Sequence, residues 1–164
     1  MKRILFAATI TGILFSSCMK GSGKCNFNAC AIVATSAEIQ TIQNYLSANS
    51  LTATQHCSGI FYTIADPGNG AAVSACSDVS VTYKGYLVNG NIFDQSATPV
   101  PLSLGQTILG WRIGIPLVRA GGKLILYIPP SLGYGNQDMK DANGNVVIPA
   151  NSYLIFEISV VAVA

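Results

Sequence analysis

The spacing of apolar residues along this chain changes character near residue 58. Ahead of that point Ile39, Ile42 and Leu46 recur at helical spacing, with Tyr45 alongside. Thr35-Ser36-Ala37-Glu38 fits a capping box, Thr with Glu three residues later, and Asn49 stands near the far end. This pattern predicts one amphipathic helix over about 36 to 49. Packing or spacing is its expected role, with partner binding as the alternative. Beyond residue 58 the period shortens. GIFYTIA reads as an apolar strand, DPGNG as a turn, and VSVTYKGYLV alternates with Val79, Val81 and Tyr83 on one face. Residues 83 to 96, YKGYLVNGNIFDQS, read as two strands around an Asn-Gly turn. KLILYI and YLIFEISVVAVA are β-branched and aromatic runs suited to central strands. Between them TILGWRIGIPLV places Ile108, Trp111, Ile115 and Leu117/Val118 for a short helix bounded by glycines and closed by Pro116. The expectation is an α+β domain, a single antiparallel sheet curled over a short helix.

The first residues have a different logic. Lys2 and Arg3 precede an uncharged run from Ile4 to Phe15, then Ser16-Ser17-Cys18. That is a positive n-region, an apolar h-region and small residues before a cysteine. The run is short for a spanning helix, which needs ~20 apolar residues. The segment resembles a bacterial lipoprotein signal, with Phe15 where such signals usually carry Leu. The resemblance implies a signal peptide over 1–17 and lipidation of Cys18. It further implies a lipid-anchored protein of the cell envelope facing the periplasm, with the outer membrane as the expected location. An ordinary secretory signal and an uncleaved anchor remain alternatives, and each of the three means export. The expected organisation is signal peptide 1–17, tether and helix 18–57, and a β-rich domain 58–164.

Charge and cysteines fit export. Without Lys2 and Arg3 the chain carries seven Lys and Arg against seven Asp and Glu, so no basic patch points to nucleic acid. With Cys18 set aside, Cys25, Cys30, Cys57 and Cys76 form an even set, which in an exported protein reads as two disulfides with three pairings open. Locality favours Cys25–Cys30 with Cys57–Cys76. A four-thiolate zinc site is the rival, but the tight C-x-x-C spacing is missing.

From residue 58 onward the chain resembles the FKBP family of peptidyl-prolyl cis-trans isomerases. The pieces stand in order: VTYKGYLVNGNIFDQS, LSLGQTILGW, GGKLILYIPPSLGYG and VIPANSYLIFEISVV. The resemblance implies an apolar pocket with Trp111 as floor and Tyr83, Phe93 and Phe156 as walls. Asp94 and Tyr134 would stand at its edge, and Thr107, Ile108, Val147 and Ile148 would complete it. It implies that the Ile108 N–H and the Tyr134 hydroxyl reach carbonyls of a bound peptide. Val100 and Leu102 occupy positions that are commonly aromatic in the family, and NQDMKDANGN lengthens the loop between Tyr134 and Ile148. The implied activity is isomerisation of X-Pro bonds in unfolded or partly folded exported proteins, with no metal or cofactor. A macrolide-type inhibitor is an implied pocket ligand.

Taken singly, Asp94 could be a strand-end cap, Trp111 a plain core residue and Tyr134 a tyrosine packed over Pro129-Pro130. Their joint match to the family spacing favours the pocket. Other classes find little support. His56 is the one histidine, and no G-x-S-x-G elbow, phosphate loop or paired carboxylates stand out. The alternative worth carrying is an FKBP-fold chaperone or binding lipoprotein with little or no turnover.

Overall fold

A computed structural model describes residues 25–164. The segment expected to be a signal peptide, residues 1–17, and the expected lipidation site Cys18 lie outside those residues. The elements run α1 (Ser36–Ala48), β1 (Thr54–Gln55), β2 (Phe61–Asp66), β3 (Asp78–Leu87), β4 (Ile92–Ser103), α2 (Leu109–Gly114), β5 (Lys123–Ile128), β6 (Met139–Lys140), β7 (Val146–Ile148) and β8 (Leu154–Val163). Six strands form one sheet in the order β1-β2-β5-β8-β3-β4, every neighbour antiparallel, while β6 and β7 make a separate hairpin. The fold is α+β, a sheet wrapped over the short helix α2.

Local chemistry explains where each element starts and stops. The Thr35 hydroxyl accepts the Glu38 N–H, and the Glu38 carboxylate accepts the Thr35 N–H, so both halves of the capping box are made. At the other end Leu51 N–H donates to the Leu46 carbonyl and Ser50 N–H to that of Ser47. Ser50 takes φ 54° to make this turn. Those two bonds satisfy carbonyls that a helix end otherwise leaves unpaired. The Asn89-Gly90 turn joins β3 to β4 with Gly90 at φ 86°, a conformation few side chains tolerate. In α2, Gly110 and Gly114 face β5. A Cβ on Gly110 would come within 2.6 Å of Ile128 Cδ1, so glycine is what lets the helix lie close on the sheet.

Alternation along the strands gives the sheet two apolar faces. Toward α2 point Val79, Val81, Leu124, Leu126, Ile128, Leu154, Phe156, Ile158 and Val160, the main core. On the opposite face Phe61, Tyr127 and Ile155 are buried beneath Ile42 and Leu46 of α1. The helix expected over 36 to 49 thus closes the back of the sheet.

The disulfides correct the local pairing. Cys25 bonds Cys76 and Cys30 bonds Cys57, with Cα atoms 5.7 and 5.5 Å apart. The segment ahead of α1 runs back over the domain rather than folding on itself. Ala34 N–H donates to the Ser58 carbonyl at 2.8 Å, and Phe27 and Ala29 pack against the main core. Cys25 and Cys30 are therefore held beside partners 51 and 27 positions along the chain. Closing loops of that size removes more unfolded-state freedom than a local bridge, roughly 3–4 kcal/mol each in the chain-entropy account. All four thiols are spent in bridges, so they do not form a zinc site. His56 lies against the Cys30–Cys57 bridge, with Nδ1 3.6 Å from Cys57 Sγ.

Candidate active site

Between the concave face of the sheet and α2 lies an open cavity of about 480 Å³. Its floor is aromatic. Trp111 is 6 % exposed, and its ring meets Phe156 edge-on at 5.1 Å between centroids and Tyr83 at 5.3 Å. Phe93 stands perpendicular to Phe156 at 5.4 Å. These edge-to-face contacts match the positive rim of one ring to the negative face of the next. Gly85 makes the arrangement possible. It lies opposite Phe156 on one side and Asp94 on the other, and a Cβ there would sit 2.7 Å from both Phe93 and Phe156. The YKGYL glycine is thus a space left for two rings.

Polar groups gather at the mouth. Asp94 is the third residue of β4, so it lies within a strand, not at its end, and its carboxylate accepts the Tyr83 hydroxyl at 2.7 Å. Partial burial, that hydrogen bond and the Asp94 charge push the Tyr83 phenol up to about 12. Burial and then the charge of Asp94 also raise the Tyr134 phenol above its ordinary value. Both hydroxyls therefore keep their protons throughout the neutral range. Tyr83 spends its proton on Asp94, and no acceptor among the described residues takes that of Tyr134. Ile108 precedes α2 with extended backbone (φ −59°, ψ 152°), and its carbonyl accepts from Trp111 and Arg112. Its own N–H finds no acceptor among the described residues. The buried indole N–H of Trp111 likewise has no partner among the described residues.

The structure brings together on this cavity each pocket residue named from sequence: Tyr83, Phe93, Asp94, Val100, Thr107, Ile108, Trp111, Tyr134, Val147, Ile148 and Phe156. Leu102 lines it too. Gln106, Met139 and Lys140 were not foreseen. Gln106 is next to Thr107 and carries no signal of its own. Met139 and Lys140 fall in the lengthened loop, which folds into the β6–β7 hairpin and turns two of its side chains to the cavity. The Asp141 carboxylate ties the tip of that hairpin by accepting from Asn143, Asn145 and the Asn145 side chain.

A sheet wrapped over a short helix, with an aromatic box between them and an acid and a phenol at its opening, defines the class of protein. The family profile described as FKBP-type peptidyl-prolyl cis-trans isomerase matches residues 70–161, and the chain belongs to that family. It is 43 % identical over 109 residues to the FKBP-type peptidyl-prolyl cis-trans isomerase FkpA of Buchnera aphidicola, covering 65 % of this chain and 43 % of that protein. FkpA of Escherichia coli is 36 % identical over 108 residues, 64 % of this chain and 38 % of that one. The chain thus spans less than half the length of these relatives. Among solved structures it is similar to a peptidyl-prolyl cis-trans isomerase from Pseudomonas syringae, with a TM-score of 0.66 and 30 % identity. That likeness covers 80 % of this chain and 97 % of the other.

Proposed function

We propose that this protein is a peptidyl-prolyl cis-trans isomerase acting on X-Pro bonds of exported proteins. The observation that carries the reading is the convergence of Trp111, Tyr83, Phe93 and Phe156 on one cavity with Asp94 and Tyr134 at its mouth. Rotation about a peptide bond meets a barrier of ~18–20 kcal/mol because resonance gives that bond double character. At the half-rotated imide this conjugation is lost and the carbonyl becomes less polar. An apolar box suits that form better than water does. Two donors without an acceptor among the described residues, the Ile108 N–H and the Tyr134 hydroxyl, hold the flanking carbonyls of a turned chain. The Asp94–Tyr83 pair fixes a dipole at the box edge. No bond to the substrate is made or broken, and preferential binding of the twisted form is the whole effect. Lowering the barrier by ~7 kcal/mol would raise the rate by about five orders of magnitude.

Phe93, Asp94, Trp111 and Tyr134 are assigned to the twisted bond. Tyr83, Val100, Thr107, Ile108, Val147, Ile148 and Phe156 are assigned to peptide binding, and the same box would admit a macrolide-type inhibitor. Two bridges, Cys25–Cys76 and Cys30–Cys57, support an oxidising compartment. Together with the leader they support export and anchoring through a lipid on Cys18, in the envelope and facing the periplasm. No helix among the described residues is long and apolar enough to cross a membrane.

Following cis-to-trans conversion of an X-Pro peptide tests the activity. Wild type should exceed the uncatalysed rate, with kcat/KM falling at least about tenfold in Asp94→Val and in Tyr134→Phe, the loss expected when a group acting in the transition state is removed. Wild type turning over at the uncatalysed rate while still binding unfolded chains would replace this reading with that of a holdase. Metabolic labelling with a fatty-acid analogue, lost in Cys18→Ser, tests the anchor.

A further inference from the structure

Tyr134 rides on a loop whose firmness comes in part from outside the family-matched stretch. After β5 the chain makes one 3-10 turn, Pro130–Leu132, and reaches Tyr134 two residues later. The turn closes on itself through Leu132 N–H to the Pro129 carbonyl, and Gly133 and Gly135 N–H to that of Pro130. Ser131 N–H is left over, as N–H groups of a first turn always are. Its acceptor is 93 positions back along the chain, on α1: Glu38 Oε1, 2.9 Å away. The Ser131 hydroxyl donates to Glu38 Oε2 at 3.0 Å. The same carboxylate accepts the N–H and hydroxyl of Thr35 at 2.9 and 3.0 Å. One side chain thus completes the helix cap and clips the loop to the helix. Partial burial pushes the Glu38 carboxyl up, but bonds from Ser131 and Thr35 outweigh it and hold the group below the usual carboxylate range.

The helix is a fixed post for this clip. Ile42 and Leu46 seat it on the sheet, and the Cys30–Cys57 bridge and the Ala34–Ser58 bond hold the chain just before it. On the far side of Tyr134 the loop is tied once more, by Asn151 N–H to the Gly135 carbonyl at 2.8 Å. Tyr134 therefore sits between two anchors, one of them Glu38.

We propose that Glu38 is a positioning residue for this pocket: through Ser131 it holds the Tyr134 loop at the cavity mouth, so the segment ahead of the family-matched stretch sets the efficiency of the site. The proposal rests on the isomerase reading for its effect on turnover, and on geometry alone for its effect on the loop. A carboxylate takes both Ser131 donors together with Thr35, and a neutral amide with one acceptor oxygen cannot.

Three variants of the full chain separate positioning from mere stability. Glu38→Gln should lower kcat/KM by about tenfold, the scale on which misplaced groups act. Thr35→Ala loses both bonds of the Thr35 hydroxyl to Glu38 but leaves the Thr35 N–H bond and both Ser131 bonds, so it should lower Tm while keeping kcat/KM within about twofold of wild type. In a Tyr134→Phe background Glu38→Gln should cost less than about twofold, because interacting residues are not additive. Hydrogen exchange, measured alongside, should accelerate at residues 131–135 in Glu38→Gln and little elsewhere. Glu38→Gln with wild-type turnover overturns the proposal, and so does an equal loss in both backgrounds. Should wild type lack turnover, exchange decides alone. Acceleration confined to the loop sustains the positioning and removes the isomerase reading, whereas unchanged exchange removes both.

Discussion

The two faces of the sheet are built from the same strands and do opposite things with their aromatic residues. On the outer face a row crosses four strands in register, Phe61, Tyr127, Ile155 and Tyr86, and α1 covers it. About 180 Å³ remains open there, lined by Ile42, Tyr45, Tyr127 and Tyr153 among others. On the inner face the row one residue along is Tyr62, Leu126, Phe156, Gly85 and Asp94. There a glycine replaces a side chain, the covering helix is short, and a cavity of about 480 Å³ stays open. The outer face is the more nearly filled of the two. The other withholds side-chain volume at Gly85 and leaves aromatic surface for a ligand. The contrast is therefore one of filling, since both faces are apolar.

Mutations on the two faces should separate stability from turnover. The largest effect is expected outside. Leu46→Ala, under the last turn of α1, should cost about 2–5 kcal/mol of stability, the range for truncating a buried leucine. Because Leu46 is two turns from Glu38, kcat/KM should stay within about threefold; equal losses in denaturant unfolding and turnover would erase the distinction. Inside, Gly85→Ala drives a methyl against Phe93 and Phe156. It should cost about 1–3 kcal/mol by overpacking and lower turnover more than Leu46→Ala does. Turnover as high as wild type would mean the box tolerates filling.

The smallest effect is spectroscopic. Tyr83 is raised from 10.0 to about 12, first by burial and then by Asp94. A neutral phenol favours the fold, so its contribution is complete below pH 10 and disappears as pH climbs to about 12. In Asp94→Asn the charge is gone while the burial stays, and absorbance titration should find Tyr83 ionising at a lower pH than in wild type. An unmoved titration would mean burial alone sets it.

Much of the inner face was legible through the family resemblance, whose motifs are short and local. The Asn-Gly turn fixes the hairpin that carries Phe93 and Asp94, and glycines around Trp111 mark a helix pressed on a sheet. The outer face was legible only in part. The stripe Ile39, Ile42, Leu46 and the capping box predict α1, but nothing in its spacing says which surface it covers. The disulfide pairing was beyond reach for the same reason. Which cysteines meet depends on the path of residues 25–34 across the domain, and that path is set by packing of Phe27 and Ala34. Glu38 reads from sequence as a capping glutamate, and its second pair of bonds, to Ser131, arises only once the whole sheet is assembled.

β2 has a consequence for anyone trimming this protein to the recognisable domain. It pairs along almost the whole of β5, from Phe61 with Tyr127 to Asp66 with Lys123. A fragment starting at residue 70 would strip that strand away and bare a row of amide and carbonyl groups flanked by Leu124, Leu126 and Ile128. Such a naked border invites a second copy to dock strand against strand, so the minimal fragment should clump more readily than the longer chain.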